Sequence, residues 1–440
     1  MMGLKHWKRW AIFGLLGLCL SWMVSCSGTN SSQTGQSAST SGKTEIEFWT
    51  MQLQPKFTDY FNTLISNFEK ENPSLTVRWQ DVPWTAMQSK ILAAVSSKTA
   101  PDVVNLNPDF AAQLAGRNAW LTLDDKIDPK VQAEYLPNIW KASTLNGKSF
   151  GIPWYLTSRI AIYNSDLLKQ AGLTAPPKTY TELAAAAKTV KDKTGKYAFF
   201  ITAVPEDSGE ILESFVQMGV KLIDAQGRAG FNSPEGKAAF EFWANLYKQG
   251  LIPPEVTTEG HRHGVELFQS GQTALLSSSP EFLNAIATDA PDIAKVSAAA
   301  PQLTGATGKM NVAVMNVVIP KDTDQPAAAV KFALFLTNPE NQLSFAKAAN
   351  VLPSTTASLQ DAYFSKATPE ASPSDQARIV SASQMKNAEV LIPTLKDIKA
   401  LQKVLYENLQ ATMLNQKTAE QALKDAEQAW NQEYAGQEKG

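Results

Sequence analysis

The chain of 440 residues has only two cysteines, Cys19 and Cys26, and three histidines, His6, His261 and His263. So few thiols exclude a disulfide framework and a thiolate metal site. His261 and His263 have no cysteine or dense carboxylate cluster beside them in sequence, so this H-x-H in a polar loop reads as surface. Charge of one sign is also missing: 40 basic residues face 42 acidic ones, for a formal net charge of −2. Without a basic excess to neutralise phosphates, nucleic acid is excluded as a partner class. Long apolar runs are absent too, since the stretch from Ala11 to Leu20 is shorter than the roughly 20 residues a membrane-spanning helix needs. Catalytic signatures are scarce. Gly147-Lys148-Ser149-Phe150-Gly151 fits G-x-S-x-G, but Asn146-Gly147 is a hairpin-type turn and the chain after it leads to Pro153, not into a helix. Asp124-Asp125 and Glu206-Asp207 offer carboxylates in pairs, as a glycosidase requires, yet the separation that matters is not in the sequence. Asp124-Asp125 also fits a helix N-terminus, and Glu206-Asp207, in a loop after Pro205, also fits ligand binding. No motif calls for a cofactor.

What is present begins with Lys5, Lys8 and Arg9, the short apolar run, and Ser21-Trp22-Met23-Val24-Ser25-Cys26. This resembles a bacterial lipoprotein signal over residues 1–26, with Cys26 the lipidated residue. An uncleaved anchor is the alternative, and it too leaves the remainder outside the cytoplasmic membrane. Residues 27–43 are Ser, Thr, Gly, Gln and Asn with almost no apolar side chain, the composition of a flexible tether. The body that follows is 44% hydrophobic by whole-chain composition and, at roughly 400 residues, long enough for two large lobes.

Glu45 to Trp49 alternates as a strand, Phe57, Phe61, Leu64, Ile65 and Phe68 follow at helical spacing, and Leu75, Val77 and Trp79 alternate again. A helix with Ile91, Leu92 and Val95 leads to a third strand, Pro101 to Leu106. This βαβαβ order predicts an α/β fold with an open parallel sheet, and it brings the loops after the strands to one edge. Trp49 to Gln52, Trp84, and Asn107 to Asp109 meet there. The stretch from Ser149 to Leu168 organises the rest of the chain: a proline-constrained aromatic loop, Pro153-Trp154-Tyr155, feeds the buried strand Ile160 to Tyr163. Ligands gather at strand ends in such sheets, so Trp154 either walls a cleft or caps the sheet as core. Of the eleven tryptophans, Trp49, Trp84 and Trp154 fall in such loops, where aromatic faces beside Asp, Asn and Glu suit a neutral sugar. Asp109 is expected either to accept hydrogen bonds from that ligand or to cap a helix starting near Phe110. Farther on, Thr179 to Glu182, Ser233-Pro234, Asn338-Pro339 and Thr418 to Gln421 mark helix starts. Tyr197 to Ile201 and Thr273 to Leu276 read as short strands, so the second region is mainly helical around a smaller sheet.

Several pieces in fixed order resemble the extracellular solute-binding proteins of the sugar ABC-importer class, the group that includes maltose-binding protein. They are Lys90-Ile91-Leu92 through Pro101-Asp102-Val103, Gly151-Ile152-Pro153 to Tyr163-Asn164, Lys169 to Leu173 with Pro177-Lys178-Thr179, Leu267 to Gly271, and Leu352-Pro353-Ser354. The resemblance covers the chain from Glu45 to its end. It implies two lobes, 44–155 with 313–352 and 156–312 with 353–440, crossed near Tyr155, Asn311 and Leu352, with a ligand held between them. It further implies a monomer that binds a saccharide or small glycoside, serves ABC permease subunits, and is not an enzyme. By position, Asn107 and Asp109 match the family's sugar contacts after the third strand, Tyr155 or Thr157 the hinge-side contact, and Asn311 a crossing residue at the cleft. Glu206 and Asp207 fall near another binding loop. Glu281, in Ser279-Pro280-Glu281-Phe282, stands where the family often has an aromatic, and Met218-Gly219-Val220 stands where it often has paired glycines. A relative that takes glycerol-phosphate derivatives, with Arg117, Arg159 or Arg262 on the phosphate, and a secreted glycoside hydrolase are the alternatives.

Overall fold

The computed structural model describes residues 42–205, 207–366, 372–392, 395 and 398–437. Cys26, nearly all of the tether, and Glu206 lie outside the described residues. The alternating start forms β1 (Thr44–Met51), and the helix Thr58–Glu71 buries Phe61, Leu64 and Phe68, the residues its spacing put on one face. β2 (Leu75–Val82) and β3 (Val103–Leu106) both pair with β1 in parallel, which is the expected βαβαβ run. The sheet does not continue in parallel. β4 (Thr144–Leu145) and β5 (Lys148–Ser149) make a separate hairpin whose turn residues Asn146 and Gly147 have φ of 51° and 75°. This is the left-handed geometry that a tight hairpin demands.

β6 (Ile152–Ser158) and β7 (Ile160–Asn164) come next, then β8 (Leu275–Ser278), β9 (Ser297–Ala300), β10 (Met310–Val318), β11 (Leu352–Pro353) and β12 (Ala388–Glu389). The large sheet has the order β11-β6-β10-β3-β1-β2, with β12 on β10. In it β10 runs antiparallel to both β3 and β6, so the sheet is mixed and not wholly parallel as expected. The cause is that β10 returns from a distant part of the chain and is under no helical-crossover constraint. β7 is the centre of a three-stranded antiparallel sheet, β8-β7-β9. Arg159 is thus the one residue between the two sheets on the outward passage, and residues 301–309 make the return.

The aromatic loop expected at Pro153 to Tyr155 is itself a strand. Proline is tolerated in its interior because Pro153 lies opposite Asn316, at the register shift between Met315 and Asn316. A bulge leaves ladder donors unpaired, so the missing N–H costs little there. On one face of the large sheet Phe48, Phe61, Phe332, Phe345 and Trp154 pack together, with Phe48 and Phe332 edge to face at 5.2 Å. On the other, Trp49, Met87, Ile91 and Val104 form a second core. The largest cluster surrounds the small sheet, where helices Glu210–Gln217, Pro234–Lys248 and Ile398–Met413 contribute Phe215, Phe240, Trp243, Leu401, Leu405 and Leu409. Tyr197 to Ile201 is not a ladder strand, although it lies along β8 through a bridge to Thr273 and the bond from Leu275 N to Ala198 O. The expected caps form at Thr179, Ser233 and Asn338, and Thr418 Oγ1 accepts from Gln421 N. Among the described residues no helix is long and apolar enough to cross a membrane.

Candidate functional site

A cavity of about 410 Å³ opens where the end of β3, the face of β10 and the helices Glu210–Gln217 and Ile398–Met413 meet. Its first wall carries Trp84, Asn107, Asp109 and Thr157, and β10 contributes a floor from Asn311 to Asn316. Five of the residues expected at the site therefore line one cavity: Trp84, Asn107, Asp109, Thr157 and Asn311. Trp84 is one of two large apolar side chains left exposed among the described residues, at 44%. Gln52 lies beside it and accepts from Trp84 N at 3.2 Å, so Gln52 sets the backbone that presents the indole.

Asn107 is the N-cap of helix Pro108–Ala115, its Oδ1 accepting from Phe110 N at 2.8 Å, with Pro108 in the first turn. The cap expected of Asp109 thus belongs to Asn107, which corrects that alternative. Asp109 in the first turn keeps solvent access through the open cavity. The surrounding walls nonetheless desolvate its carboxylate and push its pKa up, while the Lys399 ammonium pulls it back down. Asn311 is held by its own side chain, whose Oδ1 accepts from Leu391 N at 3.1 Å.

The opposite wall was not foreseen in the sequence. Leu212, Glu213, Ile398, Lys399 and Gln402 line it. Glu213 sits on an amphipathic helix one turn from Glu210, and Lys399 and Gln402 interrupt the apolar spacing of Leu401, Leu405 and Leu409. Those interruptions were the available signal. Behind this wall Arg159 Nε lies 3.6 Å from Glu213 Oε2, and its Nη2 donates to Ser208 Oγ at 3.2 Å. Desolvation raises the pKa of both Glu210 and Glu213, and Arg159 opposes that rise.

The other expected residues lie elsewhere. Trp154 is fully buried, its ring stacked on Phe345 at 4.9 Å and 22°. It belongs to the core and not to a cleft wall, because strand alternation in β6 turns it inward. Trp49 is 5% exposed, with Lys90 Nζ 4.0 Å from its ring centroid; β1 runs on to Met51, which makes Trp49 an interior position. Tyr155 packs against Trp154 and Phe345, and burial, with Glu281 and Asp81 nearby, raises its phenol pKa. Glu281 lines a separate small crevice with Thr157, Asn350 and Arg378, and it accepts from Ser279 Oγ. Asp207 Oδ1 accepts from His261 N at 2.9 Å and so caps helix His261–Gln269 from outside.

The rival motifs are accounted for by packing. Ser149 is buried and donates to Asp124 while accepting from Trp140 Nε1. Asp125 pairs with Lys126. Among the described residues no group of three or more His, Cys, Asp or Glu is placed to hold a metal ion.

Residues 54–343 match the family model described as bacterial extracellular solute-binding protein. The fold is similar to that of a periplasmic-binding protein of Synechococcus sp. MITs9220 assigned to oligosaccharides, at 44% identity and a TM-score of 0.80, covering 89% of this chain and 99% of that one. It is also similar to the cyclic alpha-maltosyl-1,6-maltose binding protein of Arthrobacter globiformis, at 21% identity and a TM-score of 0.76 over 89% and 98% of the two chains. The arabinooligosaccharide-binding protein of Halalkalibacterium halodurans is 24% identical over 262 residues, 58% of this chain and 57% of that protein.

Proposed function

Because the chain belongs to the family of bacterial extracellular solute-binding proteins, we propose that it captures a neutral saccharide or small glycoside on the outer side of the cytoplasmic membrane and delivers it to an ABC permease. The observation that carries the ligand class is the cavity between the large sheet and the helices Glu210–Gln217 and Ile398–Met413. An exposed indole, four amides, a hydroxyl, two carboxylates and one ammonium converge on a pocket otherwise lined by apolar side chains, the mixture that suits hydroxyl groups on a ring with apolar faces. Of the three arginines that could have bound a phosphate, Arg159 is engaged by Glu213 and Ser208 and Arg262 by Glu266, while Arg117 lines a different cavity. A phosphorylated ligand therefore has less support than a neutral one. The engagement of Glu213 by Arg159 also argues against a hydrolytic pair with Asp109, so the protein is read as a binder and not an enzyme.

Trp84, Asn107, Asp109, Thr157 and Asn311 are the proposed ligand contacts, joined by Glu213, Lys399 and Gln402. The division into lobes of 44–155 with 313–352 and 156–312 with 353–440 is our reading too, supported by the change of sheet at Arg159 and the return before β10. So are the lipid anchor at Cys26 and the monomeric state. Native mass spectrometry of the full chain isolated from its own host tests the function. A retained, intact neutral saccharide is expected, and a phosphate-bearing solute or hydrolysed fragments would overturn the reading.

A further inference from the structure

The places where the chain passes between the sheets are not joined by apolar packing alone. They are fastened by side-chain amides. Gln302, 7% exposed, opens the return passage, and its Oε1 accepts from Asn311 N at 2.8 Å while its Nε2 donates to Asn311 O at 3.0 Å. One side chain thereby grips both backbone groups of Asn311, at the other end of the same passage. The same Nε2 reaches Arg159 O, on the outward passage, at 3.4 Å.

Gln384, 2% exposed, lies between helix Pro373–Ser383, whose Ala377 packs with Ile160 and Ile162 of the small sheet, and β12 on the large sheet, which makes 384–387 a third passage. Its Oε1 accepts from Gln302 N at 2.7 Å, and its Nε2 donates to Arg159 O at 3.2 Å. Ser158 and Ser381 hydroxyls meet at 2.5 Å, and Asn311 Oδ1 accepts from Leu391 N, which closes the ring. These bonds link passage to passage, and rotation of one sheet against the other need not break them. Buried amides with satisfied donors and acceptors hold one geometry, since every alternative leaves polar groups unpaired.

From this we infer that Gln302 and Gln384 are positioning residues: they bind the three passages into a single hinge and present Asn311 to the cavity, acting on ligand affinity without touching ligand. The inference rests on the solute-binding reading only in supposing that the lobes move. If the amides set the hinge, removing them broadens the range of resting lobe angles, and a binder whose competent geometry is less populated loses apparent affinity in proportion.

The test is made on the full chain with Cys19 and Cys26 replaced by serine and fluorophores placed at the exposed positions Glu71 and Lys193. Single-molecule energy transfer then reads the distance distribution of the unliganded protein. Gln302→Met and Gln384→Met should each broaden it clearly, and Gln384→Glu, which keeps the acceptor for Gln302 N, should lie between wild type and Gln384→Met. Gln384→Met leaves the grip of Gln302 on Asn311 intact, so it decides the matter if Gln302→Met does not fold. An unchanged distribution in folded Gln384→Met overturns the inference. The distribution is read without ligand, so its outcome stands whatever the ligand proves to be, and failure of the saccharide reading is seen separately in the native mass spectrum.

Discussion

Trp154 and Arg159 stand close together on one stretch of chain and show two opposite ways of filling an interior. Around Trp154 the large sheet is packed with rings, and even the indole N–H has no hydrogen-bond partner. That orphan costs something, on the order of 1 to 3 kcal/mol, and dense aromatic packing offsets it. Around Arg159 two carboxylates, a guanidinium and the Tyr180 phenol share a pocket, with the buried Tyr406 phenol near both acids, and burial raises the pKa of both acids and both phenols. The first region can be a rigid platform because it asks nothing of solvent. The second is held by charge balance, which makes it the region through which composition, pH and hinge geometry act on the cavity.

The widest expected effect breaks the apolar side of this comparison. Trp154→Ala should cost about 3 to 5 kcal/mol, the range for a large ring removed from a packed core, seen as a lower denaturation midpoint without ligand. Affinity measured well below that midpoint should hold. Lost affinity with an unchanged midpoint would return Trp154 to the cavity wall. On the charged side, Arg159→Met leaves Glu210 and Glu213 enclosed without their cation. Breaking a fully buried pair costs about 3 to 5 kcal/mol; Arg159 keeps 27% of its side-chain surface, so about 2 to 4 is expected. The double variant Arg159→Met with Glu213→Gln should recover part of the loss in urea titrations. If the single variant is as stable as wild type, the pair is not structural.

The same contrast explains what the sequence could reveal. Periodicity reports apolar faces, so the βαβαβ run, the helix caps and the face of Leu401, Leu405 and Leu409 were legible. The choice between cleft wall and core for Trp154 could not be made from the sequence because Pro153 has the look of a loop signal; only the bulge opposite Asn316, supplied by a strand far along the chain, makes proline acceptable inside β6. The antiparallel pairing of β10 was hidden for the same reason. At the cavity, Asn107, Asp109 and Trp84 follow strands and could be placed by local rules. Glu213, Lys399 and Gln402 could not, because they reach the cavity through packing of the largest core and carry no local signature beyond polar breaks in an apolar pattern.

Across the cavity the comparison becomes one of two charges. Asp109 faces Lys399 from the opposite wall, and Asp109→Ala should weaken saccharide binding about tenfold to a hundredfold, the worth of hydrogen bonds to a charged group. Its unliganded stability should stay near wild type, since Asn107 carries the cap. Asn107→Ala is the counterpart and should cost about 1 kcal/mol of stability. Calorimetry and thermal melts should show lost affinity in both variants but lost stability only in Asn107→Ala, because Asn107 lines the cavity and also caps the helix. A stability loss for Asp109→Ala equal to that of Asn107→Ala would remove the distinction between ligand contact and cap.

The smallest expected effect is a pair of opposed pH slopes within the charged region. Glu210 and Glu213 have folded pKa values above the ordinary 4.5, through desolvation. The folded state therefore binds more protons than the unfolded one, and stability falls as pH rises from about 4.5 through their folded values. His261 behaves the other way. Desolvation and the nearby Arg159 lower its pKa from 6.5 to about 4, against the pull of Asp207. Its folded form is the poorer proton binder, so stability rises between about pH 4 and 6.5 and the gain is complete above that window. Glu213→Gln should thus flatten the fall, and His261→Asn, which keeps the backbone donor that Asp207 accepts, should flatten the rise. Each change should be on the order of 1 kcal/mol, because these groups are only partly enclosed, or about 1 °C in a chain of this size. Melting curves recorded from about pH 4 to about pH 8 separate the two, since the variants must tilt the profile in opposite directions. If both tilt it the same way, the charge balance assigned to Arg159 is wrong in sign.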